Sequence, residues 1–293
     1  MSRFLDPKII MAIKDLSLMA KTTVDGYLTG MNKSLLRGAG IEFSQYRSYQ
    51  PGDDLRSLDW KMFARSDRYY VRDSEIETSI SVRLMADASA SMNHIDGGYS
   101  KFDYARYLLA SLAYLANSQG DAIGLYLLQN ELLSLAPRQS FQQLSRLFHR
   151  LETAEAGGQF TRPELYRNIF AGSQHRELLV FATDFYQQHD EIYQVLDWLS
   201  ALRHEILIFH IIGKNELEMN YGGYTSFEDL ESGAVIQADK AGLKAYRERL
   251  DQHLIAVRNA CLNRNISYRL VSMDQPLDQA LRDFLNQRNK LST

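Results

Sequence analysis

The chain contains little cysteine, proline or tryptophan: its 293 residues include 1 cysteine, 5 prolines and 2 tryptophans. A lone cysteine, Cys261, excludes an intramolecular disulfide and a cysteine-based zinc site. Its position in a helical pattern predicts a small buried side chain. No apolar run reaches the ~20 residues that a membrane span needs, and charged residues interrupt the first 30 positions, unlike in a signal peptide. We therefore expect a cytoplasmic protein without a membrane span.

The chain also lacks a strong excess of either charge, since its formal net charge is −3. The charge is unevenly distributed, however. Residues 1–72 carry 12 Lys and Arg against 8 Asp and Glu, a balance of +4, and the rest of the chain carries 21 against 28, a balance of −7. Such a division indicates either a surface for a partner or pairing between the two parts. Nucleic-acid binding through the basic front is the weaker interpretation, and we expect no nucleic-acid partner.

Apolar segments of two periods alternate from residue 75 onward. Short runs that are apolar or alternate with period two predict strands, and recurrence at helical spacing predicts helices. The predicted strands span 76–86, 122–128, 132–135, 177–183, 205–212 and 266–272, and the predicted helices span 101–118, 140–151, 190–203, 241–264 and 276–289. The pair 122–128 and 132–135 is predicted to form a hairpin. This order indicates an α/β fold with a mostly parallel, doubly wound sheet and helices on both faces.

The front of the chain has a different composition. Residues 5–32 predict an amphipathic packing helix, interrupted near Gly26. Residues 36–72 are rich in glycine, arginine and aspartate, with short strands predicted at 41–49 and 69–74. Pairing between arginines and carboxylates is favoured there over an anion site. We expect residues 1–74 to pack on a main domain of residues 75–293, with Trp60 and Phe43 buried and Arg56 paired to a carboxylate.

A candidate insertion lies at residues 213–240, between a predicted strand and a predicted helix. Its glycine-rich, acidic and aromatic composition predicts a surface hairpin, and a binding-loop role is the alternative.

Oxygen-bearing side chains collect where two predicted strands end. Asp87, Ser89 and Ser91 follow the first strand of the main domain, and Asp184 follows a later one. Thr161 lies between them in a glycine-containing loop. Because ligands of parallel sheets bind at the carboxyl ends of the strands, we expect these side chains to converge. Carboxylate and hydroxyl oxygens suit Mg²⁺, Mn²⁺ or Ca²⁺ rather than zinc or copper.

Two of these residues have purely structural alternatives. Asp87 could cap the helical turn that follows a serine-rich loop. Thr161 could cap the helix that Pro163 begins, and the ligand and cap roles stay equally open.

The motif resembles that of the von Willebrand factor A domain. The metal-ion-dependent adhesion site of that family combines Asp-x-Ser-x-Ser, a threonine in a glycine-containing loop and a later aspartate. The matching residues here are Asp87, Ser89, Ser91, Thr161 and Asp184. The match departs in two places: Gln159 and Phe160 separate the glycines from Thr161, and Phe185 follows Asp184 where a glycine is usual. The resemblance implies a von Willebrand factor A-like fold over residues 75–293.

The upstream stretch narrows the resemblance. Gly38-x-Gly40-x-Glu42-Phe43, then Gly52-Asp53-Asp54-x-Arg56 and Asp59-Trp60, followed by an A-type domain, is similar to the bacterial family called domain of unknown function 58, or DUF58. Members of that family are often encoded beside a MoxR-type AAA+ ATPase. The resemblance therefore implies an adaptor or partner of such an ATPase.

Two functional hypotheses follow. The favoured hypothesis is a non-catalytic, divalent-metal-dependent protein-interaction module, because oxygens without an adjacent general base suit binding. The alternative is a metal-assisted phosphoester hydrolase, with Asp87 or Asp184 in the chemistry.

Overall fold

A computed structural model describes residues 7–13, 15–35, 46–49, 60–66, 68–72, 79–130, 132–160, 176–186, 191–201, 204–218, 225–228, 230, 235–238 and 240–292. The chain divides into two units by its internal contacts. One unit comprises Met1–Tyr27 with Ser79–Thr293, and the other comprises Leu28–Thr78. The predicted boundary at residues 74 and 75 lies outside the described residues, so it stays a prediction.

The elements follow one another in an alternating order that the sequence pattern largely predicts. The helices are α1 Pro7–Ile10, α2 Leu16–Leu35, α3 Trp60–Ser66, α4 Lys101–Ser118, α5 Phe141–Thr153, α6 Glu191–Ala201, α7 Lys214–Glu218, α8 Lys240–Leu262 and α9 Asp278–Ser292. The strands are β1 Tyr46–Ser48, β2 Tyr70–Arg72, β3 Ser81–Asp87, β4 Ile95–Asp96, β5 Tyr99–Ser100, β6 Ala122–Leu128, β7 Leu132–Arg138, β8 Leu178–Thr183, β9 Glu205–Ile212, β10 Thr225–Glu228, β11 Val235–Ala238 and β12 Ser267–Ser272.

Six strands form the central sheet in the order β12-β9-β8-β3-β6-β7. All neighbours are parallel except β6 and β7, which form the predicted antiparallel hairpin. The chain leaves β3 toward β6 on one side, and β8 lies on the other side of β3. The strand order therefore reverses between β3 and β8. In open α/β sheets, such a switch point opens a crevice at the carboxyl ends of the two strands.

Helices cover both faces of this sheet, as the predicted α/β class requires. On one face, α6 and α8 pack through apolar side chains that include Leu196 and Val257. On the other face, α4 contacts β3, β6, β8 and β9, and α9 contacts β8 and β9. Cys261 is buried in the first of these layers, as predicted. Strands β3, β6, β8 and β9 are buried on both faces, and most of their residues are therefore apolar.

The N-terminal helical region is interrupted, but not where the sequence analysis placed the break. Helix α2 runs through Gly26, and the interruption lies between α1 and α2 instead. The Asp15 carboxylate accepts a hydrogen bond from the Leu18 backbone N–H at 2.9 Å, which begins α2 at a new N-terminus. The Leu16 N–H is bonded to Glu152 Oε1. The prediction of a break at Gly26 is therefore wrong. The Asp15 cap starts a new helix, whereas a glycine within a helix does not by itself end it.

The second unit contains the antiparallel pair β1 and β2, close to the two short strands predicted there. Its aromatic residues pack against one another: the rings of Phe63 and Tyr69 stack with centroids 4.4 Å apart, and Trp60 meets Phe63 edge-on. Trp60 is 60% exposed, so the expectation that it is buried is wrong. Trp60 is the first residue of α3, and among the described residues its ring packs nearly perpendicular to that of Phe63. Phe43, Arg56 and most of the predicted arginine–carboxylate pairs lie outside the described residues.

The predicted insertion contains a hairpin, in which β10 and β11 pair antiparallel. A possible binding role for this segment stays a prediction. Within the described ranges, none of the helices combines the length and the apolar character needed to cross a bilayer.

Candidate functional site

Asp87 is the last residue of β3, and its carboxylate is buried at the switch point of the sheet. One oxygen, Oδ1, accepts hydrogen bonds from the backbone N–H of Ser89 at 2.9 Å and from the Ser89 hydroxyl at 2.7 Å. The other, Oδ2, accepts from the hydroxyl of Thr183 at 2.8 Å, across the gap to β8. Small residues after the strand permit the chain to turn back at once. Asp87 is thus fixed by both strands that border the crevice.

Ser91 joins the first motif to Asp184. The hydroxyls of Ser89 and Ser91 lie 3.1 Å apart, and the Ser91 hydroxyl donates to Asp184 Oδ1 at 3.1 Å. Asp184 Oδ1 also accepts a bond from the backbone N–H of Tyr186. The structure therefore brings together four of the five predicted oxygen-bearing residues: Asp87, Ser89, Ser91 and Asp184.

The fifth, Thr161, lies outside the described residues. The loop before it is held beside the serine motif by backbone hydrogen bonds: the Gly157 N–H donates to Ala88 O, and the Ala90 N–H donates to Gly158 O. Gly158 has φ of 69°, a left-handed conformation that favours glycine. A Cβ atom at Gly158 would also meet the Asn130 side chain at 2.3 Å.

Phe185 follows Asp184 in a left-handed conformation, with φ of 56°. Such a backbone is uncommon for a bulky residue and costs free energy unless the surroundings hold it. Phe185 is buried, and its ring lies against His210 and Tyr268. A glycine at this position would adopt the turn without strain. Here, core packing holds the turn that presents Asp184.

A buried lysine, which the sequence analysis missed, reaches the same carboxylate. Lys101 is the first residue of α4 and is 1% exposed. Its Nζ lies 3.1 Å from Asp184 Oδ2 and 3.0 Å from Glu216 Oε1. It also sits 4.5 Å from the centroid of the Tyr186 ring. The cluster thus contains three carboxylates and one ammonium.

A sequence signal for Lys101 did exist. Lys101, Ala105, Leu108 and Leu112 recur at helical spacing, so this lysine occupies the apolar face of a predicted helix. A lysine is seldom fully buried unless it is paired, and its position therefore predicted a buried carboxylate partner. Glu216 gave no comparable signal, because only the strand order brings the turn after β9 to this crevice.

Burial and charge perturb the ionisable groups of the cluster. Burial, followed by the negative charge of Asp184, raises the pKa of Asp87 to about 7, and the hydrogen bonds from Ser89 and Thr183 oppose this shift. Burial alone would lower the pKa of Lys101, but the Asp184 and Glu216 carboxylates outweigh it and raise that pKa. Burial, followed by the Lys101 charge, lowers the pKa of His210 to about 3. His210 is therefore neutral at physiological pH.

The donor set fits a hard cation. Among the described residues, no group of three or more His, Cys, Asp or Glu side chains is placed to hold a metal ion. The candidate set instead consists of two carboxylates and two hydroxyls, which are ligands that Mg²⁺, Mn²⁺ and Ca²⁺ accept. Two neighbouring carboxylates disfavour each other's ionised form. A cation would remove that penalty.

Comparison with known proteins identifies the family. A family model described as a protein of unknown function, DUF58, matches residues 45–260. The chain belongs to the DUF58 family. Uncharacterized proteins of Mycobacterium tuberculosis and Mycobacterium bovis are each 27% identical to this DUF58 chain over 239 residues, which cover 78% of it and 73% of each relative.

Solved structures with a similar arrangement have lower identity. An aerotolerance-related membrane protein from Bacteroides fragilis, crystallised with multiple mutations to serine, is 16% identical with a TM-score of 0.48. A conserved hypothetical protein, BatB, from Bacteroides thetaiotaomicron is 13% identical with a TM-score of 0.47. Each comparison covers 72% of this DUF58 chain and 100% of the other.

Proposed function

We propose that this DUF58 chain is a non-catalytic protein-interaction module that depends on a divalent cation. The observation that carries the proposal is the convergence of Asp87, Ser89, Ser91 and Asp184 at the switch point between β3 and β8. These four side chains would hold Mg²⁺, or Mn²⁺ or Ca²⁺, with Thr161 as a candidate fifth ligand. A divalent ion bound there offers a coordination position to an oxygen of a partner.

We infer that the main unit has a von Willebrand factor A-like fold. The order of the chemistry along the chain supports this inference: Asp-x-Ser-x-Ser follows the first strand of the main sheet, and Asp184 follows β8. The parallel neighbours of β3 on both sides are also consistent with a doubly wound sheet.

The proposed partner is a protein that contributes an aspartate or glutamate, and a MoxR-type AAA+ ATPase is the specific candidate. The resemblance to DUF58 proteins encoded beside such ATPases supports this choice. A charge-assisted contact to a cation is directional and strong, so one acidic residue of the partner suffices to anchor the complex. The loops around the crevice would supply specificity.

A metal-assisted phosphoester hydrolase is the second candidate. The pKa of Asp87, about 7, is the observation in its favour, because a group that titrates near neutral pH suits general acid–base catalysis. Two observations favour binding instead. Asp87 is 0% exposed with both oxygens bonded to serine and threonine hydroxyls, and the nearby His210 is neutral and hydrogen-bonded to the Tyr268 hydroxyl.

Titration calorimetry with Mg²⁺, Mn²⁺ and Ca²⁺ tests the metal site. We expect binding by the natural chain, a rise in melting temperature that grows with ion concentration, and loss of both in Asp87→Ala. Asp197→Ala is the control. It removes an exposed carboxylate of α6 that pairs with Arg264 and does not belong to the oxygen cluster, so this variant should bind the cation as the natural chain does. Absence of heat at millimolar concentrations of every ion would refute the proposal.

A pull-down with the AAA+ ATPase tests the partnership. Recovery should fall when a chelator is added. Ser89→Ala/Ser91→Ala should weaken binding by about 1–3 kcal/mol, as expected when one charge-assisted contact is lost. Equal recovery with and without chelator would show that docking does not use the cation. Turnover of a phosphoester that requires Mg²⁺ and Asp87 would instead favour the hydrolase.

A further inference from the structure

Lys101 is a permanent positive charge beside the proposed cation site. Its side chain is 1% exposed, and its Nζ lies 3.1 Å from Asp184 Oδ2. Removing an ammonium from water is costly unless opposite charges compensate. Here the compensation comes from Asp184, from Glu216 and from the face of the Tyr186 ring. The charge is therefore built into the crevice rather than placed there by a mobile surface side chain.

The two oxygens of Asp184 contact different partners. Its Oδ1 accepts from the Ser91 hydroxyl within the oxygen cluster, and its Oδ2 holds Lys101. Any cation that the cluster binds must therefore use a carboxylate that is already neutralised by an ammonium. Like charges close to the same carboxylate repel each other, so Lys101 weakens the attraction that Asp184 offers to an incoming ion.

Glu216 gives Lys101 a second acceptor. Its Oε1 lies 3.0 Å from Lys101 Nζ, and its Oε2 accepts from the Gly213 N–H at 2.7 Å. A Cβ atom at Gly213 would meet Glu216 Oε2 at 2.9 Å and His94 Nε2 at 3.1 Å, so a residue with a side chain would not permit this close packing. The turn after β9 thus fixes Glu216 where it can retain the ammonium.

We propose that Lys101 is a tethered competitor for the divalent cation and that Glu216 is the positioning residue that draws it from Asp184. This inference rests on the proposed function. In the absence of a divalent ion, the ammonium lies between the Asp184 and Glu216 carboxylates and offsets part of their combined charge. When an ion engages Asp184, Glu216 keeps Lys101 paired. The balance between the two carboxylates then sets how much cation the site needs before a partner can bind.

The two residues are expected to affect cation affinity in opposite directions. Lys101→Met removes the competitor and leaves two buried carboxylates without a counterion. It should lower the melting temperature without metal, and should tighten Mg²⁺ and Mn²⁺ binding by about tenfold or more, since repulsion between charges this close exceeds the free energy of a tenfold change. Glu216→Gln leaves Lys101 on Asp184 alone, so it should weaken binding by about tenfold.

Calorimetry with Mg²⁺ and Mn²⁺ alone, together with thermal melts, measures both effects on the full chain. The matched control is Arg83→Met. Arg83 is another buried cation, paired with Glu177 at 2.6 Å. It lies four residues before Asp87 in β3, near the amino end of that strand and away from the crevice. Its loss should destabilise the fold and leave cation affinity unchanged. If Lys101→Met does not fold, Glu216→Gln, which is nearly isosteric, still tests whether Glu216 favours cation binding.

The outcomes separate this inference from the proposed function. If the natural chain binds a cation and neither substitution shifts its affinity by more than twofold, or Lys101→Met weakens it, the inference is wrong and the proposed function stands. If only Lys101→Met binds, the inference holds and the metal dependence of the natural chain is refuted. If no variant binds, both are wrong.

Discussion

At the scale of single residues, Asp87 is a carboxyl group of the crevice whose pKa is clearly raised. Burial and the charge of Asp184 hold its proton to a pKa of about 7, well above the 3.8 expected of an unfolded aspartate. Between these two values the native state binds more protons than the unfolded state. Ionisation of Asp87 therefore lowers the stability of the metal-free protein as the pH rises from about 4 to about 7.

We predict that Asp87→Asn gains stability relative to the natural chain as the pH rises through this interval. Asparagine carries no proton that the native state must release, so the penalty is absent. Asparagine has one accepting oxygen where aspartate has two, so only part of the hydrogen bonding from Ser89 and Thr183 is lost. Urea unfolding of both proteins in chelator, at several pH values from 4 to 7.5, gives the difference in free energy of unfolding.

His210 also makes stability depend on pH, but equally in both proteins. Its folded pKa of about 3 lies below the unfolded value of 6.5, so its contribution to stability is complete above pH 6.5 and is lost as the pH falls toward 3. Its effect has the opposite sign, but it is common to both proteins and cancels in their difference. A difference that stays constant with pH would show that Asp87 is ionised throughout.

At the scale of elements, β6 and β7 leave no room for a side chain at Gly124. Their register shifts between Ile123 and Leu125, which leaves Gly124 opposite Leu135 and Pro137. The amide of Gln143, in α5, donates to the carbonyls of Ile123 and Ala136. It thereby satisfies backbone groups at the irregularity.

Gly124→Ala should therefore lower stability by about 1–3 kcal/mol, the typical cost of overpacking a core. Its Cβ would lie 2.8 Å from both Leu135 O and Pro137 N, and backbone atoms cannot move aside as a flexible side chain would. Gly157→Ala is the control, because its Cβ would meet only the end of the Gln129 side chain at 3.7 Å. Chemical denaturation compares the two, and equal stabilities would show that the strands separate without cost.

Helix α9 is fastened to the sheet by a buried ion pair. Arg288 Nε lies 2.6 Å from Asp121 Oδ2, and Arg288 Nη2 lies 2.9 Å from Oδ1. Asp121 Oδ1 also accepts from the Ile80 N–H just before β3. The contact thus joins the C-terminal helix to the residues that enter two central strands.

Arg288→Met should cost about 3–5 kcal/mol, because it leaves the Asp121 carboxylate buried without a counterion. Arg288→Met/Asp121→Asn should cost less than Arg288→Met alone, since the amide oxygen of asparagine can still accept from Ile80. Denaturation of the three proteins forms the test. A double variant less stable than the single one would show that the Asp121 carboxylate is not penalised when it lacks its arginine.

Element bounds follow from the sequence more directly than side-chain contacts do, for physical reasons. The bounds of α4, β6 and β9 were predicted to the residue, because apolar periodicity ends sharply at Gly120, Gln129 and Gly213. The position of the helix break was not, because the Asp15 cap depends on packing near Glu152. The convergence of Asp87 and Asp184 could be predicted, because each residue follows the carboxyl end of a predicted parallel strand. The helical spacing of Lys101 indicates that it is buried and paired, but the identity of its partners, Asp184 and Glu216, depends on a strand order that no local pattern records.

At the scale of the whole molecule, the first unit includes residues far apart in the chain. The buried face of α2 includes Met19, Ala20, Val24 and Tyr27, and the Thr23 hydroxyl lies 3.2 Å from the Tyr107 hydroxyl of α4. A fragment that begins at residue 79 would expose the apolar surface that these residues cover.

We predict that residues 79–293 alone form a less stable and aggregation-prone protein, since large exposed apolar patches promote association. Addition of a peptide of residues 1–27 should raise the melting temperature of the fragment in proportion to its binding. Size-exclusion chromatography and thermal melts measure both effects. A monomeric fragment as stable as the full chain would show that α2 contributes nothing to the core.

The Arg288–Asp121 pair joins residues 167 positions apart, which has a consequence during protein synthesis. At ~5–20 residues per second, a ribosome takes about 8–33 s after making Asp121 to make Arg288. The nascent chain can form its early strands and helices during that time, but Asp121 still lacks the arginine that neutralises it. Edge strand β12 and helix α9 also emerge after the other five strands of the sheet. The growing polypeptide therefore passes through a period in which β9 has an open edge, a state in which chaperone contact would prevent association between unfinished chains.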